Sequence, residues 1–279
     1  MSADPSARRA IVGAATTLTE FPLNADWFRD APRDLEIGDA VAPDLLDSAE
    51  LQAAYTERAL ATLGGHAGRR GIHGPFQGIS IASPDHAIRE VVARRFIESI
   101  RFAATFGATH MVIHSPFMGW INPSLFSGKG SNIDTQIANI QRTLEPVIPV
   151  AVEHGVILMI ENIRDLNIFP LLDTMRAIDH PHVRLSLDVG HAQLHVPVGG
   201  MTPDQYVREA GDLLGHIHLQ DVDGEADRHW APGDGIVNFR ALFAALREVP
   251  NDPRLIIELK DKADIQRGAA HLASLGLTA

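Results

Sequence analysis

Cysteine is absent from the 279 residues, which excludes disulfides and thiolate chemistry. Any metal would have to be held by histidine, aspartate and glutamate. No stretch approaches the roughly 20 apolar residues that a bilayer-spanning helix requires, so no membrane association is expected. The N-terminal MSADPSARRA has no apolar run behind it and does not read as a secretory signal. A cytoplasmic location is therefore expected. No block of like charge, low-complexity tract or linker divides the chain, so one domain is expected over residues 1–279. Basic residues are in deficit, with 24 Lys and Arg against 35 Asp and Glu and a formal net charge of −11. That balance suits a polyanion poorly, and nucleic acid is disfavoured as a partner. No G-x-G-x-x-G follows the first strand and no G-x-x-x-x-G-K-[ST] occurs anywhere, so no nucleotide cofactor is expected.

What is present is a chain 45% hydrophobic, ample for a buried core. Short β-branched and aliphatic runs alternate with stretches of helical period, the pattern of strand and helix units on a parallel sheet. Strands are predicted over residues 11–15, 34–37, 70–73, 110–114, 156–161, 183–188, 216–219 and 255–258. The segment 84–106 sets Ile88, Val91, Val92, Phe96, Ile97, Ile100 and Ala103 on one helical stripe, with Ser83-Pro84 to start it and Gly107 to stop it. A second stripe runs over 131–154, where Pro146 and Pro149 predict a kink or an early end. Further helices are predicted over 43–63, 170–178, 203–213, 239–247 and 265–275, with only a turn in 21–32. Eight such units in about 280 residues fit a closed (β/α)8 TIM barrel better than an open doubly wound sheet.

The chemistry lies at the strand ends. Four consecutive apolar strands finish in a residue able to bind a metal: Glu161, Asp188, His218 and Glu258. In a barrel these ends converge on the face that carries the active site. Their N/O donor set suits Mn, Mg, Co or Zn. Further candidates surround them. His73-Gly-Pro and His114-Ser-Pro end strands three and four. Asp188-Val-Gly-His191 adds a histidine after strand six, with Gly190 permitting a tight turn. Asp227-Arg228-His229 follows strand seven, ahead of Pro232-Gly-Asp-Gly235, a run expected to close back over the site. His73, His114, His191, Asp227 and His229 are thus candidates for additional metal or for substrate contact. The remaining histidines, including His66, His110, His195 and His216, are expected to be structural or on the surface. The long segment 115–130 after strand four reads as a lid that offers Phe117 and Trp120 to a sugar ring and Lys129 to a charged group; Trp230 invites the same role.

The set His73-Gly-Pro-Phe, His114-Ser-Pro-Phe, Ile160-Glu161-Asn162, Asp188-Val-Gly-His191, His216-Ile-His218-Leu-Gln-Asp221, the run from Asp227 to Gly235 and Ile257-Glu258 resembles the xylose isomerase-like TIM-barrel superfamily. That superfamily holds sugar isomerases and epimerases, inosose dehydratases and endonuclease IV. By resemblance to the epimerases, Glu161, Asp188, His218 and Glu258 would hold one divalent ion. Glu161 and Glu258 would also move protons across a metal-stabilised enediolate, which is chemically sound for a carbon acid beside a carbonyl. His191 would then contact a substrate oxygen, and Arg228 a hydroxyl or phosphate. The expected activity is therefore that of a metal-dependent sugar isomerase or epimerase, and the expected substrate is a small sugar, sugar phosphate or inosose. By resemblance to endonuclease IV, His73, His114, Glu161, Asp188, His191, His218, Asp227, His229 and Glu258 would hold three zinc ions and attack a phosphodiester. Two departures weigh against that nuclease activity: Val12-Gly-Ala-Ala-Thr-Thr lacks the His-containing opening motif, and the loops after strands one to three lack the Arg and Tyr that would enter a duplex. A dehydratase or lyase on a keto-sugar shares the first step of the isomerase reading and is a further alternative. Related barrels often pair, so a homodimer or homotetramer is expected.

Overall fold

The computed structural model describes residues 10–117 and 132–279. Eight parallel strands close into a barrel in chain order: β1 (Gly13–Thr16), β2 (Leu35–Ile37), β3 (Arg70–His73), β4 (Ala108–His114), β5 (Ile157–Glu161), β6 (Val183–Asp188), β7 (Leu214–Leu219) and β8 (Arg254–Ile257). β8 returns to β1 through Gly13↔Ile256 and Ala14↔Ile257, and no sheet edge remains. All eight strands fall where the sequence puts them, with ends displaced by at most two residues.

Parallel neighbours need crossovers, and helices supply them: α1 (Ala25–Asp30), α2 (Pro43–Leu46), α3 (Ala49–Thr62), α4 (His86–Ala104), α5 (Asn132–Leu144), α6 (Val147–Glu153), α7 (Phe169–Ile178), α8 (Val189–His195), α9 (Pro203–Ala210), α10 (Phe239–Leu246) and α11 (Ile265–Ser274). α4 starts where the Asp85 carboxylate accepts the Ala87 N–H at 2.8 Å. It buries Val92, Phe96 and Ile100 but leaves Ile88 and Val91 exposed, so its apolar stripe is narrower than the periodicity suggests. The stretch 131–154 divides into α5 and α6 around Pro146, as its prolines predict. The stretch 43–63 also divides, because the Ser48 hydroxyl accepts the Leu51 N–H at 3.2 Å and caps a new helix.

One local expectation fails. Gly190 does not form a tight turn after β6; helix α8 starts at once, capped by Asp188 Oδ1, which accepts the His191 N–H at 2.7 Å. Gly190 is needed for space instead, since a Cβ there would lie 2.5 Å from the Gln220 side chain. Within the barrel, Gly71 makes room in the same way: its Cβ would meet the His110 ring at 2.1 Å. Among the described residues, no helix is long and apolar enough to cross a membrane.

Candidate metal centre

A cavity of about 350 Å³ opens at the C-terminal ends of the strands, and His73, His114, Glu161, His191, Asp227, His229 and Glu258 are among the residues that line it. The strands bring together all nine ligand candidates. They form three groups whose ligand atoms lie within 4.8 Å of one another: His73, His114 and Glu161; Glu161, Asp188, His218 and Glu258; and His191, Asp227 and His229.

Glu161 belongs to two groups. It is buried, and each of its oxygens faces imidazoles. Oε1 lies 2.9 Å from His218 Nδ1, while Oε2 lies 3.7 Å from His73 Nε2 and 3.6 Å from His114 Nε2. Among the described residues, Oε2 has no hydrogen-bond partner. Distances of that size are too long for hydrogen bonds, but they approach the roughly 3.0–3.4 Å polyhedron edges implied by metal bonds of about 2.0–2.1 Å. In the second group, Glu258 Oε2 stands 3.4 Å from His218 Nδ1 and Asp188 Oδ2 stands 4.0 Å from it. In the third, Asp227 Oδ2 lies 3.4 Å from His191 Nε2 and 3.2 Å from His229 Nε2. An all-N/O donor set with an orphaned carboxylate oxygen at its centre fits divalent cations.

The surrounding hydrogen bonds select which imidazole nitrogen faces each group. His73 Nδ1 donates to the Gly74 carbonyl at 3.0 Å and His191 Nδ1 to the Asn162 carbonyl at 3.0 Å, which turns both Nε2 atoms toward their groups. His218 Nε2 donates to Glu36 Oε1 at 3.0 Å and leaves Nδ1 for the shared group. Asn162 also binds the Asp188 backbone on both sides, accepting its N–H at 2.8 Å and donating to its carbonyl at 3.2 Å. The Gln220 amide donates to both Asp188 oxygens and to Asp227 Oδ1, each at 3.1 Å, while its own oxygen accepts the His229 N–H at 2.9 Å. His229 holds a left-handed backbone, φ +50°.

Protonation follows from these contacts. Burial alone would raise the Glu161 carboxyl, but His218, His73 and His114 hold it well below the usual carboxylate range. Burial opposes charge on His191, yet Asp188 and Asp227 push it up to about 10; His73, similarly opposed, rises to about 9 beside Glu161 and Glu36. His114 falls to about 4, with burial as the main cause. Burial raises Asp188, whereas His191 and His229 overcome burial and lower Asp227. Acids and imidazoles thus neutralise one another, and a cation entering the groups displaces protons.

Several expected site residues lie elsewhere. Phe117 is buried in the apolar core and does not line the cavity, because Ser115 Oγ accepts its N–H at 3.2 Å and turns the chain inward. Arg228 pairs with Asp223 at 2.7 Å and stacks at 5.5 Å on Trp230, and neither Arg228 nor Trp230 lines the cavity. The run 232–235 wraps around Asp221, whose carboxylate accepts the Gly233 N–H. Trp120 and Lys129 lie outside the described residues. His110 and His216 are not surface histidines. Both sit on strands, are fully buried, and meet Glu36 inside the barrel, because His216 shares the inward face of β7 with His218 two residues on. His66 is buried as well, its Nε2 bonded to the Arg33 carbonyl at 2.8 Å, and His195 is also buried. Glu36, Asn162 and Gln220 received no role from the sequence. For Glu36 the available signal was a carboxylate set between Leu35 and Ile37 in a buried strand.

A closed parallel barrel with carboxylates and imidazoles gathered at its strand ends defines a class of TIM barrels with a candidate metal site. The profile of the family described as "Xylose isomerase-like TIM barrel" matches residues 31–275, and the chain belongs to that family. Over 202 residues it is 26% identical to the uncharacterized protein MJ1311 of Methanocaldococcus jannaschii, an alignment covering 69% of this chain but only 65% of that protein. Among solved structures it is similar to the TTHB071 protein from Thermus thermophilus soaked with ZnCl2, with a TM-score of 0.71 at 24% identity over 95% of this chain and 97% of the other. It is also similar to a D-tagatose 3-epimerase-like protein, with a TM-score of 0.74 at 20% identity over 94% and 96%. At these identities the likeness is one of fold.

Proposed function

We propose that the chain is a divalent-metal enzyme with a multinuclear centre, acting by hydrolysis on a small polyhydroxylated or phosphorylated compound. The observation that carries this reading is the convergence of nine ligand side chains into three groups, two of them sharing Glu161, around one cavity. Its volume of about 350 Å³ is at the small end of the roughly 300–1,000 Å³ of ligand sites, suited to a monosaccharide-sized molecule. Ions held there would polarise a substrate oxygen and lower the pKa of a water nucleophile.

The chain's own groups divide the remaining work. Glu161 has imidazoles against both oxygens and would hold cations with both, leaving neither oxygen to carry a proton. Glu258 lines the cavity with a side chain 18% exposed and is the carboxylate placed to hold a proton at the substrate. Phe76, stacked at 4.7 Å on His114, gives the cavity a flat apolar wall, and Lys262 lines it with the positive charge a phosphate would seek.

A second reading is the sugar isomerase or epimerase, with Glu161 and Glu258 exchanging protons with the substrate. It is favoured by the approach of both carboxylates to one atom, His218 Nδ1, at 2.9 and 3.4 Å, and by the fold shared with a D-tagatose 3-epimerase-like protein. Counting the ions bound at these three groups, by anomalous diffraction from the purified chain, separates the two. Two to three ions there, with turnover of sugar phosphate esters, support the multinuclear hydrolase. One ion there, with solvent deuterium entering a ketose or inosose, supports the second reading instead. A chain that binds no divalent metal sinks both.

A further inference from the structure

One layer below the candidate centre, three more side chains converge: Glu36 of β2, His110 of β4 and His216 of β7. All are fully buried, and none is among the nine ligand candidates. Their ligand atoms lie within 4.8 Å of one another. Glu36 Oε2 is 3.0 Å from His216 Nε2 and 3.8 Å from His110 Nε2. Yet Glu36 Oε2, His216 Nε2 and both ring nitrogens of His110 have no hydrogen-bond partner among the described residues.

The 3.0 Å contact therefore lies off the ring-nitrogen axis. An ion between the two atoms produces that arrangement: with bonds of about 2.0–2.1 Å, the direction from nitrogen to metal makes an angle of roughly 45° with the nitrogen–oxygen line. The tautomer agrees. His216 Nδ1 lies 2.8 Å from Ser186 Oγ, and donating its proton there leaves the Nε2 lone pair for a cation. Gly71 provides the space that the His110 ring needs. Orphaned polar groups in a dry interior are costly, and one divalent ion would satisfy three of these four atoms at once.

We infer that Glu36, His110 and His216 hold a further divalent transition-metal ion inside the barrel, in a two-histidine, one-carboxylate site suited to Zn, Fe(II), Co or Mn. Its role is structural. The other Glu36 oxygen accepts the His218 Nε2 proton, so the ion fixes the carboxylate that orients a candidate ligand of the centre above. This site stands independently of the hydrolytic reading.

The test is anomalous diffraction, above and below the zinc edge, from crystals of the full chain equilibrated with Zn2+. The expected result is a peak about 2 Å from Glu36 Oε2, His110 Nε2 and His216 Nε2. In His110→Gln that peak is lost while peaks in the upper groups persist, which also shows that the variant folds, and metal content falls by one equivalent. Wild-type crystals without a peak at those three atoms overturn the inference, whether or not the upper groups are filled. A lower peak with empty upper groups supports it and removes the multinuclear reading instead.

Discussion

Asp221 and Glu161 are both buried carboxylates at the same end of the barrel, each 1% exposed, but their surroundings differ in kind. Asp221 accepts three backbone N–H groups, those of Val222 at 3.0 Å, Gly233 at 2.9 Å and Val237 at 3.0 Å. It has what a buried anion needs, and it organises the loop after β7. Among the described residues, Glu161 meets only imidazoles, and one of its oxygens has no partner. Burial and charge are common to both; the unmet coordination is what the proposed site rests on. The same criterion distinguishes the His73, His114 and Glu161 group from the many ion pairs on the surface.

The comparison can be broken most forcefully at Glu161. Glu161→Gln should cut turnover by about a thousandfold or more, the scale expected when a metal-centre group is lost, and should lower metal content while the thermal midpoint holds or rises. A variant with near-wild-type activity on the true substrate would end any role for Glu161. Asp221→Ala should do the reverse. It strands buried backbone donors at a cost of about 3 kcal/mol, read by urea denaturation, with metal stoichiometry unchanged; lost metal at undiminished stability would invert the contrast.

Gln220 sharpens the line between the two kinds of residue, because it stands behind the candidate ligands, touching Asp188, Asp227 and both the ring and the backbone of His229. Gln220→Leu should weaken metal affinity roughly 10- to 100-fold, measured by chelator competition, and wild-type affinity would show that these bonds do not orient the ligands. Asp165 lies between the extremes. It accepts the Ser115 hydroxyl at 2.8 Å and the Ile163 N–H at 2.9 Å, but burial outweighs these bonds and pushes its carboxyl up to about 7. Because this exceeds the unfolded value of about 3.9, its stabilising contribution is full below about pH 4 and is lost as pH rises through 7. Asp165→Asn should therefore gain about 3 kcal/mol on the wild type between pH 5 and pH 8. Urea denaturation of both proteins at the two pH values would test this, and parallel stabilities would show an ordinary carboxyl.

Much of this contrast is legible in the sequence. Strands five to eight are apolar runs that stop at Glu161, Asp188, His218 and Glu258, so hydrophobicity and chemistry change at the same residue. His73 and His114 repeat that signal before their prolines. The layer below is hidden for a different reason. Glu36 sits in a three-residue strand flanked by Asp34 and Asp39, where a carboxylate does not stand out. His110 and His216 open their predicted strands, and only the two-residue parity of a strand shows that His216 must face inward with His218. Helix α8 escapes notice because its cap, Asp188, also reads as a ligand. Phe117 reads as exposed because the composition of a loop does not say which way a hydroxyl such as Ser115 turns the backbone.

The left-handed backbone of His229 has a thermodynamic side. At φ +50° an imidazole-bearing residue sits where glycine would rest without steric cost, a difference of order 1 kcal/mol. Glycine at this position would relax the loop and empty one corner of the third group. Under the multinuclear reading His229 is thus a spring held in tension, and stability and metal capture could not both be maximal at that residue.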